Sequence, residues 1–214
     1  MERFADYDTV NDVYQDEMML KGSRFIGIVM PCRQEADIQS NLSRVATELP
    51  DATHYCYAAL YDGANARERS SDNGEPSGTA GKPMMAVLKG AGVLDTMVIV
   101  VRYFGGTLLG TGGLVHAYTE ASKLAFAKVV KRRMVACCKF IFHLSYPDHN
   151  QFVNKCSNLM VRKPECEYSE RVDIRAWVRV GDADEFVRRV IDLTERRAVL
   201  GEPLMEYMAS DRGA

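Results

Sequence analysis

The first of two glycine-rich loops in this chain runs Gly74-Glu75-Pro76-Ser77-Gly78-Thr79-Ala80-Gly81-Lys82-Pro83, and the second runs Gly105-Gly106-Thr107-Leu108-Leu109-Gly110-Thr111-Gly112-Gly113. Ten of the 16 glycines lie between Gly74 and Gly113. The run Val98-Ile99-Val100-Val101, which separates the loops, has no polar alternation and predicts a strand buried on both faces. Each loop therefore lies between a predicted strand and a predicted helix.

Hydrophobic periodicity extends this pattern through the first half of the chain. Apolar residues recur at i, i+4, i+7, i+8 and i+11 from Ile38 to Leu49, which predicts an amphipathic helix that ends before Pro50. The other predicted elements are a strand or hairpin over Met18–Pro31, a strand over Thr53–Tyr61, a polar loop over Asp62–Gly81, and helices over Pro83–Lys89 and from Leu114 to Ala125.

The second half, which starts near Val135, has a different order of predicted strands and helices. Alternation over Val172–Val180 predicts a half-buried strand. The full order is β-α-β-β-α-β, with strands over 140–146, 165–169, 172–180 and 199–207 and helices after Asp148 and Asp182. That order predicts a ferredoxin-like domain, with helices on one face of a four-stranded antiparallel sheet. We therefore predict an α+β protein with domains at 1–133 and 134–214.

The amino-acid composition indicates which broad classes of protein this chain can belong to. Of the residues, 47% are hydrophobic and 26% are charged, which is typical of globular proteins. The net charge of −2 argues against binding nucleic acid through overall charge, although a local basic site is still possible. No two of the six cysteines form a Cys-x-x-Cys pair, so we expect reduced, mostly buried thiols. Met1–Lys21 lacks the apolar core of a signal peptide, and the longest apolar run, Met97–Val101, is far shorter than the ~20 residues of a membrane helix. We therefore expect a cytoplasmic protein with no membrane partner, no cofactor and no metal.

The loops indicate an anion site, because free N–H groups at a helix start favour negative charge. Basic side chains near the loops in sequence could neutralise a phosphate or carboxylate: Arg67, Arg69, Lys82 and Arg102. Neither loop is a P-loop, because Thr111 stands where lysine is needed and Pro83 stands where a hydroxyl would hold Mg²⁺. The dinucleotide pattern also fails, since Val115 occupies its last position. The alternative is that both loops are tight turns between closely packed layers.

Two carboxylates and one histidine are candidates for chemistry. Asp72 and Glu75 could form an acid/base pair or hold a divalent ion through water. The alternative is turn chemistry, because Asp-Asn-Gly is a strong turn former. Arg24 and His54 could converge with this loop, but no nucleophile elbow or catalytic triad is present, so we assign no catalytic residue.

The predicted strand over Val172–Val180 has an outward face with Arg175, Trp177 and Arg179. An aromatic residue between arginines suits base stacking and phosphate contact. Glu165 and Glu167 share this face and would repel phosphate. The face is therefore a candidate for contact with RNA or, alternatively, with another domain or a second subunit.

These motifs together resemble the IMPACT/YigZ family over roughly Glu17 to Lys128. The resemblance rests on Lys21-Gly22-Ser23-Arg24-Phe25, Ala52-Thr53-His54-Tyr55-Cys56-Tyr57-Ala58, the run from Ser71 to Pro83, Val100-Val101-Arg102-Tyr103-Phe104-Gly105-Gly106, Leu109-Gly110-Thr111-Gly112-Gly113-Leu114 and Ala117-Tyr118. Asn73 stands where many members have a second aspartate, which weakens a metal-site interpretation. The second half resembles the smaller C-terminal domain of bacterial members in pattern and length.

The resemblance implies an N-terminal domain like the second domain of a small-subunit ribosomal protein, a fold shared with ribonuclease PH. It also implies a C-terminal domain similar to the last domain of elongation factor G. Eukaryotic relatives look like translation regulators that bind a partner of a stress kinase. That role is not transferred, because the layout here resembles bacterial members, whose setting lacks those partners.

Our expectation is a non-enzymatic, translation-linked protein that binds RNA, the ribosome or a translation factor. One alternative is an enzyme for a phosphorylated metabolite or nucleotide, with His54, Asp72 or Glu75 transferring protons. Another is a protein-binding module whose glycine-rich loops are purely structural. The expected anion-binding site comprises Arg24, His54, Asp72, Glu75, Ser77, Gly78, Thr79, Gly81, Lys82, Arg102, Gly105, Gly106, Gly110, Thr111, Gly112 and Gly113.

Overall fold

A computed structural model describes residues 5–210 of the chain. The chain divides into two compact units, of which one comprises Tyr7–Arg132 and the other begins at Arg133 and includes Asp6. The division lies one residue before the sequence-based boundary at 133/134. Each unit has its own β-sheet and helices, so the protein is α+β.

The first unit contains six strands and three helices within the described residues. The strands are β1 (Tyr7–Thr9), β2 (Tyr14–Leu20), β3 (Ser23–Pro31), β4 (His54–Tyr61), β5 (Arg67–Ser71) and β6 (Thr96–Tyr103). The helices are α1 (Glu35–Glu48), α2 (Gly81–Gly90) and α3 (Gly110–Ala127). Five strands form an antiparallel sheet in the order β2-β3-β6-β4-β5.

This sheet is covered by helices on both faces. Ile26 of β3 and Ile99 of β6 pack in one apolar cluster with α1, whereas Phe25 and Val100 pack in another with α2 and α3. Successive residues of a strand point to opposite faces, which places the two clusters on the two sides. The prediction that Val98-Ile99-Val100-Val101 is buried on both faces is confirmed, since all four side chains are fully buried.

The second unit follows the predicted β-α-β-β-α-β order. Its elements are β7 (Arg132–Leu144), α4 (Tyr146–Cys156), β8 (Glu165–Tyr168), β9 (Val172–Arg179), α5 (Ala183–Leu193) and β10 (Leu204–Ala209). The strands pair antiparallel in the order β10-β7-β9-β8. Phe142 of the sheet contacts both Phe152 of α4 and Phe186 of α5, and Phe140 contacts Phe186. These contacts place both helices on one face of the sheet.

Other predictions about the chain are also tested by the structure. All six cysteines are free, and all but Cys166 are buried, as expected. No helix among residues 5–210 is long and apolar enough to cross a membrane.

Candidate functional site

The first glycine-rich loop folds around the carboxylate of Asp72. The Oδ2 atom of Asp72 accepts a hydrogen bond from the amide of Gly78 at 2.8 Å, and Oδ1 accepts from the amides of Ala80 at 2.9 Å and Gly81 at 2.8 Å. Gly81 begins α2, and the preceding Ala80 has no side chain that could cap the helix. Asp72 therefore supplies the negative charge that a helix N-terminus favours.

This arrangement corrects the expectation that the amides of the first loop are free for an external anion. The amides of Gly78 and Gly81 already donate to a carboxylate of the chain itself. Burial alone would raise the pKa of Asp72, but the three backbone hydrogen bonds together hold this pKa below its ordinary value. Both oxygens of Asp72 accept backbone hydrogen bonds, which favours the turn-chemistry alternative for this residue.

Glu75 lies in the same loop but joins a separate, buried network. Its Oε1 atom accepts from Arg102 Nη1 at 2.6 Å and from the hydroxyl of Tyr118 at 2.7 Å. The side chains of Glu75 and Arg102 are only 4% and 5% exposed. The ion pair therefore connects the first loop to β6, and the Tyr118 hydrogen bond connects it to α3, both away from bulk water.

Aromatic rings enclose the guanidinium group of Arg102. Its central carbon lies 5.3 Å from the centre of the Phe25 ring and 5.4 Å from that of Phe104, within the range of cation–π contact. Arg102 Nη2 also lies 3.4 Å from the hydroxyl oxygen of Ser23. Among residues 5–210, Arg102 Nε has no hydrogen-bond partner. This group is thus held by the protein and is not displayed to solvent.

His54 forms the solvent-facing edge of this network. Its Nδ1 atom lies 2.7 Å from the backbone oxygen of Asn73, and its Nε2 atom lies 3.8 Å from Glu75 Oε1. A carbonyl oxygen can only accept, so Nδ1 carries a proton. The His54 side chain is 18% exposed, which makes it the most accessible group near the buried carboxylate.

Two further groups beside Glu75 have raised pKa values. Burial raises the pKa of the Cys56 thiol to about 12, and the nearby carboxylates of Glu75 and Asp72 add to this effect. Burial also raises the pKa of the Tyr118 hydroxyl, as do its contacts with Cys56 and Glu75. Both groups are therefore neutral near pH 7, and Cys56 is not an activated thiolate.

The second glycine-rich loop begins with a close packing contact. The amide of Gly105 donates to the hydroxyl of Ser23 at 3.1 Å. A Cβ atom at position 105 would lie 1.9 Å from the carbonyl carbon of Gly22. Gly105 is therefore required by the close approach of two backbones, and the alternative of a structural glycine applies at this position.

The later part of this loop is open. Gly110, Thr111 and Gly112 are exposed, and Leu109, which precedes α3, provides no side-chain cap. Gly106 and Gly110 have positive φ angles of 85° and 71°, which glycine adopts readily. Gly112 differs, because its φ is not in that region and a Cβ atom there would meet nothing within 4 Å. Neither backbone geometry nor packing in the described residues explains the glycine at 112.

The remaining predicted site residues lie around these loops with different partners. Arg24 pairs with Glu17 at 2.6 Å on the surface. The hydroxyl of Thr79 is turned inward and donates to the oxygen of Pro76 at 2.6 Å. Ser77 and Lys82 are exposed, and Gly113 is half-buried against Leu109.

Lys82 lies beside a second feature that the sequence did not reveal. It lines a surface cavity of ~600 Å³ together with Arg69, Ser70 and Lys89. Glu68 in the same cavity pairs with Lys89 at 2.5 Å. Arg69 pairs with Glu35 at 3.0 Å, so two of the three basic side chains that line the cavity, Arg69 and Lys89, are in ion pairs.

The expectation of an accessible stacking face around Trp177 is wrong. Trp177 is only 4% exposed and packs with Val135 and Cys137. Its Nε1 atom donates to Glu206 at 2.9 Å, and the guanidinium of Arg162 covers the ring at 4.1 Å. The sequence pattern placed Trp177 on the outward face but could not show that other side chains cover it.

The two arginines of the same face are also paired. Arg175 lies 2.9 Å from Glu167 and 3.8 Å from Glu165, and Arg179 lies 3.1 Å from Asp6. Glu165 and Glu167 therefore act against phosphate binding in two ways. They repel phosphate directly, and they pair with Arg175. These contacts leave little unpaired positive charge for RNA at this face.

Sequence reasoning missed three residues of the network. Ser23 links Gly105 to Arg102, Tyr118 bonds Glu75, and the Oδ1 atom of Asn73 accepts from the amide of Tyr55 at 2.7 Å. All three lie within or next to the motifs quoted above, but their apolar or turn-forming neighbours gave no sign of a polar role. Asn73 has a φ of 42°, which asparagine tolerates better than most residues.

Comparison with known proteins gives consistent matches. The sequence model of the Impact N-terminal domain matches residues 21–126. The chain is 31% identical to IMPACT family member YvyE of Bacillus subtilis over 94% of this chain and 93% of that protein. It is also 31% identical to IMPACT family member YigZ of Escherichia coli, over 82% and 87%. A crystal structure of a hypothetical protein superposes with a TM-score of 0.67 at 29% identity, covering 91% of this chain and 96% of that one.

Proposed function

The chain belongs to the IMPACT family, and on that premise we propose that it is a non-enzymatic, translation-linked protein of the cytoplasm that binds an anionic partner. The partner is RNA, either free or within the ribosome, or a translation factor. The phosphate groups of RNA are the first choice, because backbone amides at a helix start suit them.

The proposal extends to the two folds. We assign the first unit to the fold shared by the second domain of a small-subunit ribosomal protein and ribonuclease PH. We assign the second unit to the ferredoxin-like fold of the last domain of elongation factor G. The antiparallel strand order β10-β7-β9-β8, with α4 and α5 on one face, supports the second assignment.

The observation that carries the proposal is Gly112 in the first turn of α3. A glycine within a helix is less favourable than alanine by roughly 0.5–1 kcal/mol, so some requirement should offset the difference. Residues 5–210 supply none at this position, since a Cβ atom would point into open space. Close approach of a ligand to the backbone is a requirement that would offset it.

The contrast with the first loop adds support. There, Asp72 occupies the N-terminus of α2 and no external anion is needed. At α3 the residue in that position, Leu109, provides no side-chain cap, and Gly110, Thr111 and Gly112 are exposed. The anion site that we propose is therefore the second loop, with Lys82 and Arg24 as exposed cations of the same unit.

The test measures binding of short RNAs across a salt series, together with co-sedimentation with ribosomes, for the wild type and for Gly112→Ala. The added methyl group obstructs the backbone amides, so we expect RNA affinity to fall about fivefold or more, as after loss of a charge-assisted hydrogen bond. Affinity of the wild type should also fall as salt rises.

The matched control is Gly90→Ala. Gly90 is also helical, also lacks a positive φ, and also has nothing within 4 Å of an added Cβ atom. This variant should bind RNA as the wild type does. Absence of any RNA or ribosome association at low salt, or equal binding by Gly112→Ala and wild type, would reject the proposal. Association with a translation factor alone would reject the choice of RNA phosphate.

A second candidate function is an enzyme acting on a phosphorylated metabolite or nucleotide. It is favoured by His54, which is accessible and lies 3.8 Å from the buried carboxylate of Glu75. In this function His54 would transfer protons to or from a bound substrate. Thermal-shift screening with nucleotides and sugar phosphates, with and without Mg²⁺, tests it. A stabilising ligand that still binds His54→Gln but is no longer turned over would favour the enzyme, whereas no shift across the library would count against it.

A further inference from the structure

An apolar groove lies between α2 and the second half of α3, on the same unit as the glycine-rich loops. It encloses a cavity of ~820 Å³. Its walls include Ala86 and Val87 of α2, Phe126 of α3, and Val129. Small residues keep the groove wide, since Ala86, Gly90 and Ala127 leave exposed space between the helices. The volume is within the range of small-molecule sites, roughly 300–1,000 Å³.

The charged residues that line this groove all have the same sign. They are Lys123 and Lys131, and no carboxylate lines the cavity. The exposed Lys123 pairs with Glu120 at 2.8 Å on the surface, an interaction that is weak in water. Lys131 has no carboxylate partner in the part of the chain that the structure describes. The hydroxyl of Thr119 is already bonded to the oxygen of Val115, so the groove presents apolar surface and ammonium groups.

From this combination we infer that the groove binds a small anionic amphiphile, a molecule with one apolar chain and a carboxylate or similar head group. The chain lies along Val87 and Phe126, where it loses contact with water. The head group pairs with Lys131, the lysine without a carboxylate partner. A cationic head group would be repelled by both lysines. This site is separate from the open loop at the start of α3 and does not depend on the function proposed for that loop.

The experiment titrates the full chain by calorimetry with three ligands of equal chain length below their micelle-forming concentrations: laurate, dodecanol and dodecylammonium. Laurate should bind at one site per chain. Dodecanol should bind about fivefold more weakly because it lacks the ion pair, and dodecylammonium should bind more weakly still. Equal or tighter binding of dodecylammonium would overturn the inference, since charge selection would then be absent.

Two pairs of variants locate the site. Lys131→Gln should weaken laurate binding about fivefold, whereas Lys128→Gln, which removes an equal charge nearby but outside the groove, should not. Ala86→Trp places a large ring across the groove and should abolish binding, whereas Ala36→Trp on the exposed side of α1 should not. Both alanines are exposed, so both variants should fold. No laurate binding by the wild type, or unchanged binding by Ala86→Trp, would overturn the inference.

Discussion

The two glycine-rich loops look alike in sequence but have different surroundings. Both precede a helix of the same unit, and both provide backbone amides at its first turn. In the first loop these amides donate to Asp72, whereas in the second the residue before the helix, Leu109, provides no side-chain cap. The difference comes from one carboxylate upstream of Gly78. Glycine content predicts available donors, but the position of acidic side chains decides whether those donors are free.

The loops also differ in how firmly the protein holds them. Glu75 fixes the first loop to Arg102 and Tyr118 through buried contacts. The second loop is held at Gly105, but Gly110 and Gly112 are exposed. We therefore expect substitutions in the first loop to affect stability, and substitutions in the later part of the second loop to affect binding.

The largest expected effect follows from Glu75→Gln, which leaves the buried charge of Arg102 unbalanced. Loss of one partner of a buried ion pair lowers the free energy of unfolding by about 3–5 kcal/mol. The measurement is urea unfolding followed by far-UV circular dichroism, because the single tryptophan, Trp177, lies in the other unit. The control is Glu17→Gln, which breaks the exposed pair with Arg24 and should change stability by less than ~1 kcal/mol. Similar losses in both variants would contradict the structural role of the first loop.

Asp72→Asn tests whether the hydrogen bonds from the first-loop amides to the Asp72 carboxylate stabilise the fold. The amide cannot replace a carboxylate that accepts three backbone hydrogen bonds, so we expect a loss of about 2–3 kcal/mol at pH 7. The pKa of Asp72 is lowered in the folded protein. Its stabilising contribution is therefore complete above the unfolded value of about 3.9 and is lost as pH falls through the folded value.

The pH profile of the same pair of proteins gives the second measurement. The stability difference between wild type and Asp72→Asn should be constant from pH 7 to about 5 and should shrink below about pH 4. The difference begins to shrink because the unfolded carboxyl gains a proton, and it is lost once the folded carboxyl, whose pKa is lower, is protonated as well. A difference that does not change with pH would show that the negative charge of Asp72 is unimportant to the helix.

Gly105→Ala tests the packing contact between the start of the second loop and Gly22. The new Cβ atom would lie 1.9 Å from the carbonyl carbon of Gly22, so the backbone turn must move. Overpacking of this kind lowers stability by about 1–3 kcal/mol. Thermal unfolding of this variant beside Gly106→Ala, whose Cβ atom has free space but whose φ is 85°, distinguishes a steric cause from a conformational one. An unchanged melting temperature for Gly105→Ala would contradict the packing contact.

Much of the fold could be predicted from apolar periodicity. The helix from Ile38 to Leu49 and the strand with Val98-Ile99-Val100-Val101 bury their apolar residues, and burial is what such patterns encode. β5 was missed and assigned to a loop, because Arg67–Ser71 is polar and mostly exposed. This segment is a strand only because it pairs with β4 at the sheet edge, a partner that local sequence does not reveal.

The candidate site was less predictable than the fold. Single-sequence patterns located Asp72, Glu75 and Arg102 but did not show that Asp72 faces the amides while Glu75 faces Arg102. Trp177 shows the same limit of prediction. Arg162, from the loop before β8, covers its ring, and local sequence does not reveal this contact. Such polar contacts depend on tertiary geometry, and many pairings are compatible with one sequence.

The smallest expected effect on stability belongs to Gly112→Ala, and its sign is the informative part. The Cβ atom has open space and the backbone is helical, so alanine should leave stability unchanged or raise it by up to about 1 kcal/mol. Thermal unfolding should therefore show a melting temperature at or above that of the wild type, while RNA binding falls. A clear loss of stability would mean that Gly112 has a structural role after all. Asp72 would still distinguish the first loop from the second, but the glycine at position 112 would no longer indicate a ligand at the N-terminus of α3.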